Sequence, residues 1–267
     1  YSISSIFRPQ QLFFKPWGKP YLNLLKCFTQ LFVQDADSHT LLLKHGIANS
    51  VVTGDTRFDR VAEIQQAHKD ILVVQRFIEG SDRVIVAGST WPKDEQLLAQ
   101  YMQTLENRLD SNENIKLIIA PHEIDEKHMH FLFQLFKGRY GRYTQANHIS
   151  MQHMDVLIID TIGLLSSIYQ YGTAAYIGGG FGAGIHNSLE AAVYGIPVIW
   201  GPKYQRFREA KGLIQSGAAQ SIANYKQLEM ALDYALNNHT EIGIKSAQYV
   251  QNELGATDKL YNRLFKN

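Results

Sequence analysis

From Arg83 onward the chain repeats one unit: a short apolar run, a polar turn rich in glycine or hydroxyl residues, and a stretch with helical periodicity. The apolar runs fall at residues 83–87, 115–120, 156–159, 174–177 and 196–200, and the helical stretches at 93–109, 125–137, 164–171, 206–215, 225–237 and 246–265. Apolar runs of this length read as strands buried on both faces, and their alternation with helices specifies a doubly wound parallel sheet. The fold class expected is therefore α/β and Rossmann-like.

A smaller copy of the rhythm precedes it. Residues 28–33 are an apolar run, Asp37 and Ser38 offer helix-cap chemistry, Leu41 to Leu43 continue to a stop at Gly46, and residues 50–54 form the next strand. A helix over 59–69 follows, then a polar break at Glu79, Gly80, Ser81 and Asp82. This divides the chain into residues 1–80, residues 81–245, and a terminal helix at 246–267 expected to pack back on the first part. Tyr1 is not an initiator Met, and no boundary signal opens the chain, so it is expected to continue before Tyr1.

In an open parallel sheet ligands sit at the carboxyl ends of the strands. Four turns meet that condition: Gly88-Ser89-Thr90, Pro121-His122-Glu123, Asp160-Thr161-Ile162-Gly163, and the run from Gly178, Gly179 and Gly180 through Phe181 to His186, Asn187 and Glu190. Glycines allow positive φ and close approach of a ligand to the main chain, and free N–H groups at the helix start favour an anion. Asn187 can cap or donate, and Glu190, three residues on and on the same face, can accept from sugar hydroxyls. A tight strand-to-helix connection without ligand is the competing reading of the glycine run. Ser89 and Thr90 offer hydroxyls, with ordinary N-capping as the alternative, and His122 and Glu123 offer ligand contact or proton transfer, with capping as the alternative. Arg57, in Asp55-Thr56-Arg57-Phe58-Asp59, can clamp a phosphate or carboxylate.

Other chemistry is excluded or unsupported. Twenty-six basic against 25 acidic residues leave a net charge of +1, no footprint for nucleic acid. The single cysteine, Cys27, rules out an internal disulfide and reads as a buried thiol in a reducing compartment. No metal-ligand spacing, serine-nucleophile elbow or P-loop lysine is present, and no apolar run is long enough to span a bilayer. Phe7-Arg8, Phe13-Phe14-Lys15 and Trp17-Gly18-Lys19 interleave aromatics with cations, as segments touching anionic lipid do, or as a packing segment does.

Taken in order, Phe28-Thr29, Phe32-Val33-Gln34, residues 54–59, the three short turns and Gly178 through Ala192 resemble the 3-deoxy-D-manno-octulosonic acid (Kdo) transferases of lipopolysaccharide assembly, in wording closest to a Bacteroides-like branch. The resemblance covers nearly the whole chain. It implies a GT-B glycosyltransferase with two Rossmann-like domains, moving Kdo from CMP-Kdo to a lipid A precursor, lipid IVA, with inversion and without a metal or other cofactor. The intact protein is expected at the cytoplasmic face of the inner membrane, meeting an anionic surface through the region before Tyr1 and through residues 7–19. CMP would lie on Ser89, Thr90, His122, Glu123, Gly163, Gly179, Gly180, His186, Asn187 and Glu190, with Glu190 on the ribose and Asn187 near the phosphate. The family's Pro-Arg-His is Ala120-Pro121-His122 here, and Leu164 stands where the family has a glutamate. The family's general base, a glutamate early in the acceptor domain, would precede Tyr1, which leaves donor binding to these residues. Another sugar-nucleotide GT-B enzyme, a UDP-sugar transferase or 2-epimerase, and a non-catalytic nucleotide-binding module are the alternatives.

Overall fold

The computed structural model describes residues 1–81, 83–106, 108, 114–146 and 151–266. They form two compact units, residues 1–63 with 251–267, and residues 64–250. The sequence borders at 80/81 and 245/246 differ from these.

The first unit contains β1 (Ser2–Ser5), α1 (Lys19–Lys26), β2 (Leu31–Val33), α2 (Ala36–Lys44), β3 (Ser50–Val52) and the start of α3 (Thr56–Gln66). The strands pair in parallel in the order β1-β2-β3, and all three residues of the central strand are buried. Asp35 caps α2, its Oδ1 accepting from the Ser38 N–H at 2.7 Å. Leu25, Leu31, Val33, Leu42 and Ile47 make the core, with Phe7, Phe13 and Phe14 packed against it. Those three rings contact one another edge to face. Cys27 is exposed, contrary to expectation, because it follows the last turn of α1 and faces away from this core.

The second unit contains α4 (Leu72–Phe77), β4 (Arg83–Thr90), α5 (Pro92–Glu106), β5 (Ile115–Pro121), α6 (Glu126–Leu135), β6 (Tyr140–Arg142), β7 (Val156–Ile158), α7 (Leu165–Ile168), β8 (Ala174–Ile177), α8 (Leu189–Ala192), β9 (Val198–Trp200), α9 (Arg208–Gln215), β10 (Ala219–Ser221), α10 (Tyr225–Asn237) and α11 (His239–Asn252). Among the described residues its sheet has seven parallel strands in the order β10-β9-β8-β4-β5-β7-β6. Ile85, Leu117, Ile158, Tyr176 and Ile199 bury one face with α5 and α10, while Val86, Ile118, Leu157 and Ala175 are buried on the other. Burial on both faces is what the uninterrupted apolar runs require. Strand order reverses between β4 and β8: β5, β7 and β6 lie to one side of β4, and β8, β9 and β10 to the other.

Several elements depart from the sequence reading. The basic, aromatic stretch near residue 140 is the edge strand β6, held by Tyr140 stacking on Phe133 at 5.0 Å and Arg142 lying over the same ring. β10 is likewise a short edge strand whose polar residues carry no strand signature. The expected helix at 246–265 is the end of α11 followed by α12 (Ala256–Phe265), broken where Gly255 adopts φ +93°. Asp59 of α3 accepts from the Gly255 and Thr257 N–H groups at 2.7 Å, capping α12 from another element. α4 belongs with the second unit because Phe77 is buried there beneath the Lys116 ammonium, 5.4 Å from its ring. The expected helix end at Leu109, and Asp82 of the polar break, lie outside the described residues.

Candidate functional site

The carboxyl ends of β4 and β8 meet at the point where strand order reverses, the position at which open α/β sheets bind ligands. β4 does not stop at Ala87. It runs to Thr90 through an irregularity in its pairing with β5, and the extra residue, Ser89, has φ +53°. A non-glycine residue in the left-handed region is strained, and such strain persists where the surroundings fix it, commonly at functional sites. The Ser89 hydroxyl makes no hydrogen bond among the described residues.

Around this bulge three rings come together. Trp91 stacks on His122 with centroids 4.7 Å apart, and His122 lies 4.3 Å from His186. The Trp91 Nε1–H donates to His186 Nε2 at 3.2 Å. An indole nitrogen only donates, so His186 Nε2 is an acceptor and its ring is neutral with the proton on Nδ1. Burial, and then the neighbouring His122, push the His186 pKa below its ordinary value.

The glycine run packs directly on the bulge. A Cβ at Gly178 would overlap the Ser89 carbonyl oxygen, so only glycine allows this approach. Gly179, at φ +88°, donates its N–H to Asp94 Oδ2 at 3.0 Å, and its carbonyl accepts from the Gly182 and Gly184 N–H groups. Its N–H and carbonyl are thus occupied inside the protein. The N–H groups of Gly180, Phe181 and Ala183 in the turn, and of Asn187 and Ser188 before α8, have no acceptor among the described residues, so they are donors the run can present to an anion. The β9–α9 loop supplies cations beside them. Lys203 Nζ donates to the Gly182 carbonyl at 2.8 Å, and a Cβ on Gly184 would stand 2.8 Å from Arg206 Nη2.

Asn187 turns both ends of its amide to the start of α8. Its Oδ1 accepts from the Leu189 N–H at the start of α8, and its Nδ2 donates to Glu190 Oε1 at 2.9 Å. Burial raises the Glu190 carboxyl pKa against the lowering effect of that bond.

Gly163 has φ +92° with open space where a Cβ would be, at the end of the turn after β7. Asp160 of that turn faces back to Thr144 and Arg142. Burial alone would raise its pKa, but hydrogen bonds from both hold it below the ordinary value. Thr90 does not face a ligand: it is fully buried and its hydroxyl donates to Glu95 Oε1 at 2.9 Å, while His128 Nε2 holds the other oxygen at 2.8 Å. Glu123 is exposed. It offers an oxygen within 4.8 Å of Asp125 and His128, but Asp125 caps α6 and His128 is engaged by Glu95. Arg57 is in the first unit, where its guanidinium forks onto buried Asp55 at 2.7 and 3.0 Å. Trp91 and Asp94 were not singled out in the sequence. The signal was present in Trp91 following Gly-Ser-Thr and in two adjacent acids in the first turn of α5.

A cavity of about 220 Å³ lies at the opposite, amino end of the strands, near the starts of β5 and β7. Its cations are neutralised internally, Arg108 by Glu229 and Asp233, Arg139 by Glu106 and Asp155. The switch point is the better candidate site.

No family model matches the chain. It is similar to the 3-deoxy-D-manno-octulosonic acid transferase of Rickettsia prowazekii, 27% identical over 90% of this chain, and to that of Chlamydia trachomatis serovar A, 26% identical over 84%. The chain spans about half the length of these relatives, 52% and 51%. Among solved structures it resembles the C-terminal CMP-Kdo binding domain of WaaA from Acinetobacter baumannii, with TM-score 0.57 and 20% identity, covering 74% of this chain and 97% of that one. It also resembles the UDP-GlcNAc 2-epimerase of Neisseria meningitidis, with TM-score 0.61 and 14% identity over 99% of this chain and 69% of that one. These likenesses establish a Rossmann-like GT-B fold.

Proposed function

We propose that this chain, a relative of the Kdo transferases with a GT-B fold, carries the donor site of a glycosyltransferase that moves Kdo from CMP-Kdo to a lipid A precursor in lipopolysaccharide biosynthesis. The observation that supports it most is the convergence of strained Ser89, the His122–His186 pair and the unoccupied N–H groups of Gly180, Phe181 and Ala183 at the β4–β8 switch point. In this reading those N–H groups, with Lys203 and Arg206, receive the phosphate of CMP. Ser89 and Asn187 supply further polar contacts, and Glu190 accepts from the ribose hydroxyls. The turn containing Gly163 leaves room for the base. Charge on the phosphate is met by donors already in place, which is how preorganised sites stabilise a leaving group. No metal or other cofactor is assigned a part.

The partner surface proposed is an anionic membrane at its cytoplasmic face. Phe7, Phe13 and Phe14 are taken up by the first unit's core, but Trp17 is 69% and Leu24 57% exposed, beside Lys15, Lys19 and Lys26. Residues 1–34 contain no acid at all. An exposed aromatic among cations suits an anionic lipid surface. Among the described residues no helix is long and apolar enough to cross a membrane.

Calorimetry with CMP and with UDP tests the donor assignment. CMP is expected to bind and UDP to compete poorly, and Glu190→Ala to weaken CMP. Preference for UDP would move the chain to the UDP-sugar enzymes, and equal CMP affinity in Glu190→Ala would remove that residue from the ribose.

A further inference from the structure

We infer that Asp94 is the positioning residue of the nucleotide site, a buried carboxylate behind the glycine turn that determines which main-chain N–H groups are left for the ligand. The inference rests on the donor-site reading above. Asp94 is 1% exposed and lies in the first turn of α5. One oxygen, Oδ2, accepts from two turns at once, from the Trp91 N–H after β4 and from the Gly179 N–H after β8, both at 3.0 Å. The other, Oδ1, accepts from the Tyr176 hydroxyl on β8 at 2.7 Å. A single side chain therefore joins the two strands whose ends form the switch point.

Two consequences follow from that geometry. With the Gly179 N–H drawn to Asp94, the turn is fixed at φ +88° and the donors that remain within the turn itself are those of Gly180, Phe181 and Ala183, followed by those of Asn187 and Ser188. With the Trp91 N–H on the same oxygen, the backbone carrying the indole that reaches His186 is anchored to the same point. Burying a carboxylate carries a large desolvation cost unless it is hydrogen-bonded. Here three donors supply the compensation, two main-chain N–H groups and the Tyr176 hydroxyl, each making a charge-assisted bond to the carboxylate.

Three variants separate positioning from stability. Asp94→Ala removes the acceptor from both turns. Asp94→Asn keeps one oxygen for the two N–H groups but loses the charge, and its amide can donate to the Tyr176 oxygen. Tyr176→Phe leaves the clamp on both turns intact and removes only the hydroxyl. Amide hydrogen exchange in the ligand-free protein, CMP affinity by calorimetry and the thermal midpoint are measured for each. Exchange at Gly179 and Trp91 should accelerate, and CMP affinity fall, at least about tenfold in Asp94→Ala and about threefold in Asp94→Asn. Tyr176→Phe should keep near wild-type affinity while losing stability.

A role confined to stability predicts midpoints that fall while CMP affinity does not, and that result in Asp94→Ala overturns the inference. If Asp94→Ala does not fold, Asp94→Asn decides: unchanged exchange at Gly179 and unchanged affinity overturn it. If wild type binds no CMP, the donor-site reading fails, while the exchange measurements still decide whether Asp94 holds the turn.

Discussion

Trp91 donates its indole N–H to Nε2 of His186 across 3.2 Å, with the His122 ring lying against both. This arrangement requires a neutral His186, whose pKa is lowered by burial and by His122. The unfolded chain, with an ordinary histidine near about 6.5, then takes up the proton first. The contribution is complete above that value and is lost as pH falls through it, until the folded ring also protonates. The thermal midpoint of wild type should therefore drop more steeply between about pH 7 and pH 5 than that of His186→Gln. Parallel curves would refute the neutral assignment.

Ser89 is strained at φ +53°, and glycine tolerates that conformation freely. Ser89→Gly should stabilise the protein by about 0.5–1 kcal/mol in denaturant melts, through relief of strain. It should also weaken CMP binding by about fivefold, the effect of one lost hydrogen bond. A variant that is both more stable and equally tight would mean the hydroxyl makes no ligand contact.

Glu95 and His128 form a buried pair, with side chains 0% and 7% exposed. Replacing His128 by Leu leaves the Glu95 carboxylate with only the Thr90 hydroxyl. The expected loss is about 3 kcal/mol, the range for breaking a buried pair by removing one partner. Chemical denaturation measures it, and a loss below about 1 kcal/mol would show that the pair carries little stability.

Gly178→Ala and Gly163→Ala should differ in kind. At residue 178 a Cβ overlaps the Ser89 carbonyl oxygen, so strands β4 and β8 must separate locally, at a cost of about 1–3 kcal/mol and with loss of CMP binding. At residue 163 the space is open and only the φ of +92° opposes alanine, a cost of about 1 kcal/mol. Equal melts for the two would contradict the packing described.

The layered sheet was legible because its strands are buried on both faces and so appear as unbroken apolar runs such as residues 83–87. β1, β6 and β10 were not, since edge strands such as Tyr140–Arg142 need no apolar alternation and are held by ring stacking and an ion pair formed only on folding. The turns after β7 and β8 were placed on strand ends, whereas Gly88-Ser89-Thr90 is the end of β4 itself. Which of their atoms remain available was beyond sequence reading. Thr90 and Gly179 look identical in kind to Ser89 and Gly180 until Glu95 and Asp94, supplied by α5, engage them. The break at Gly255 was missed because helical periodicity continues across it.

The central claim is that a cytidine nucleotide binds at the β4–β8 switch point. Amide chemical shifts of isotopically labelled protein titrated with CMP test it most directly. The largest changes should fall at Ser89, Gly180, Phe181, Ala183, Asn187 and Gly163. Changes centred instead on Arg108, Arg139 and Asp155 at the amino ends of the strands, or none at saturating CMP, would contradict it.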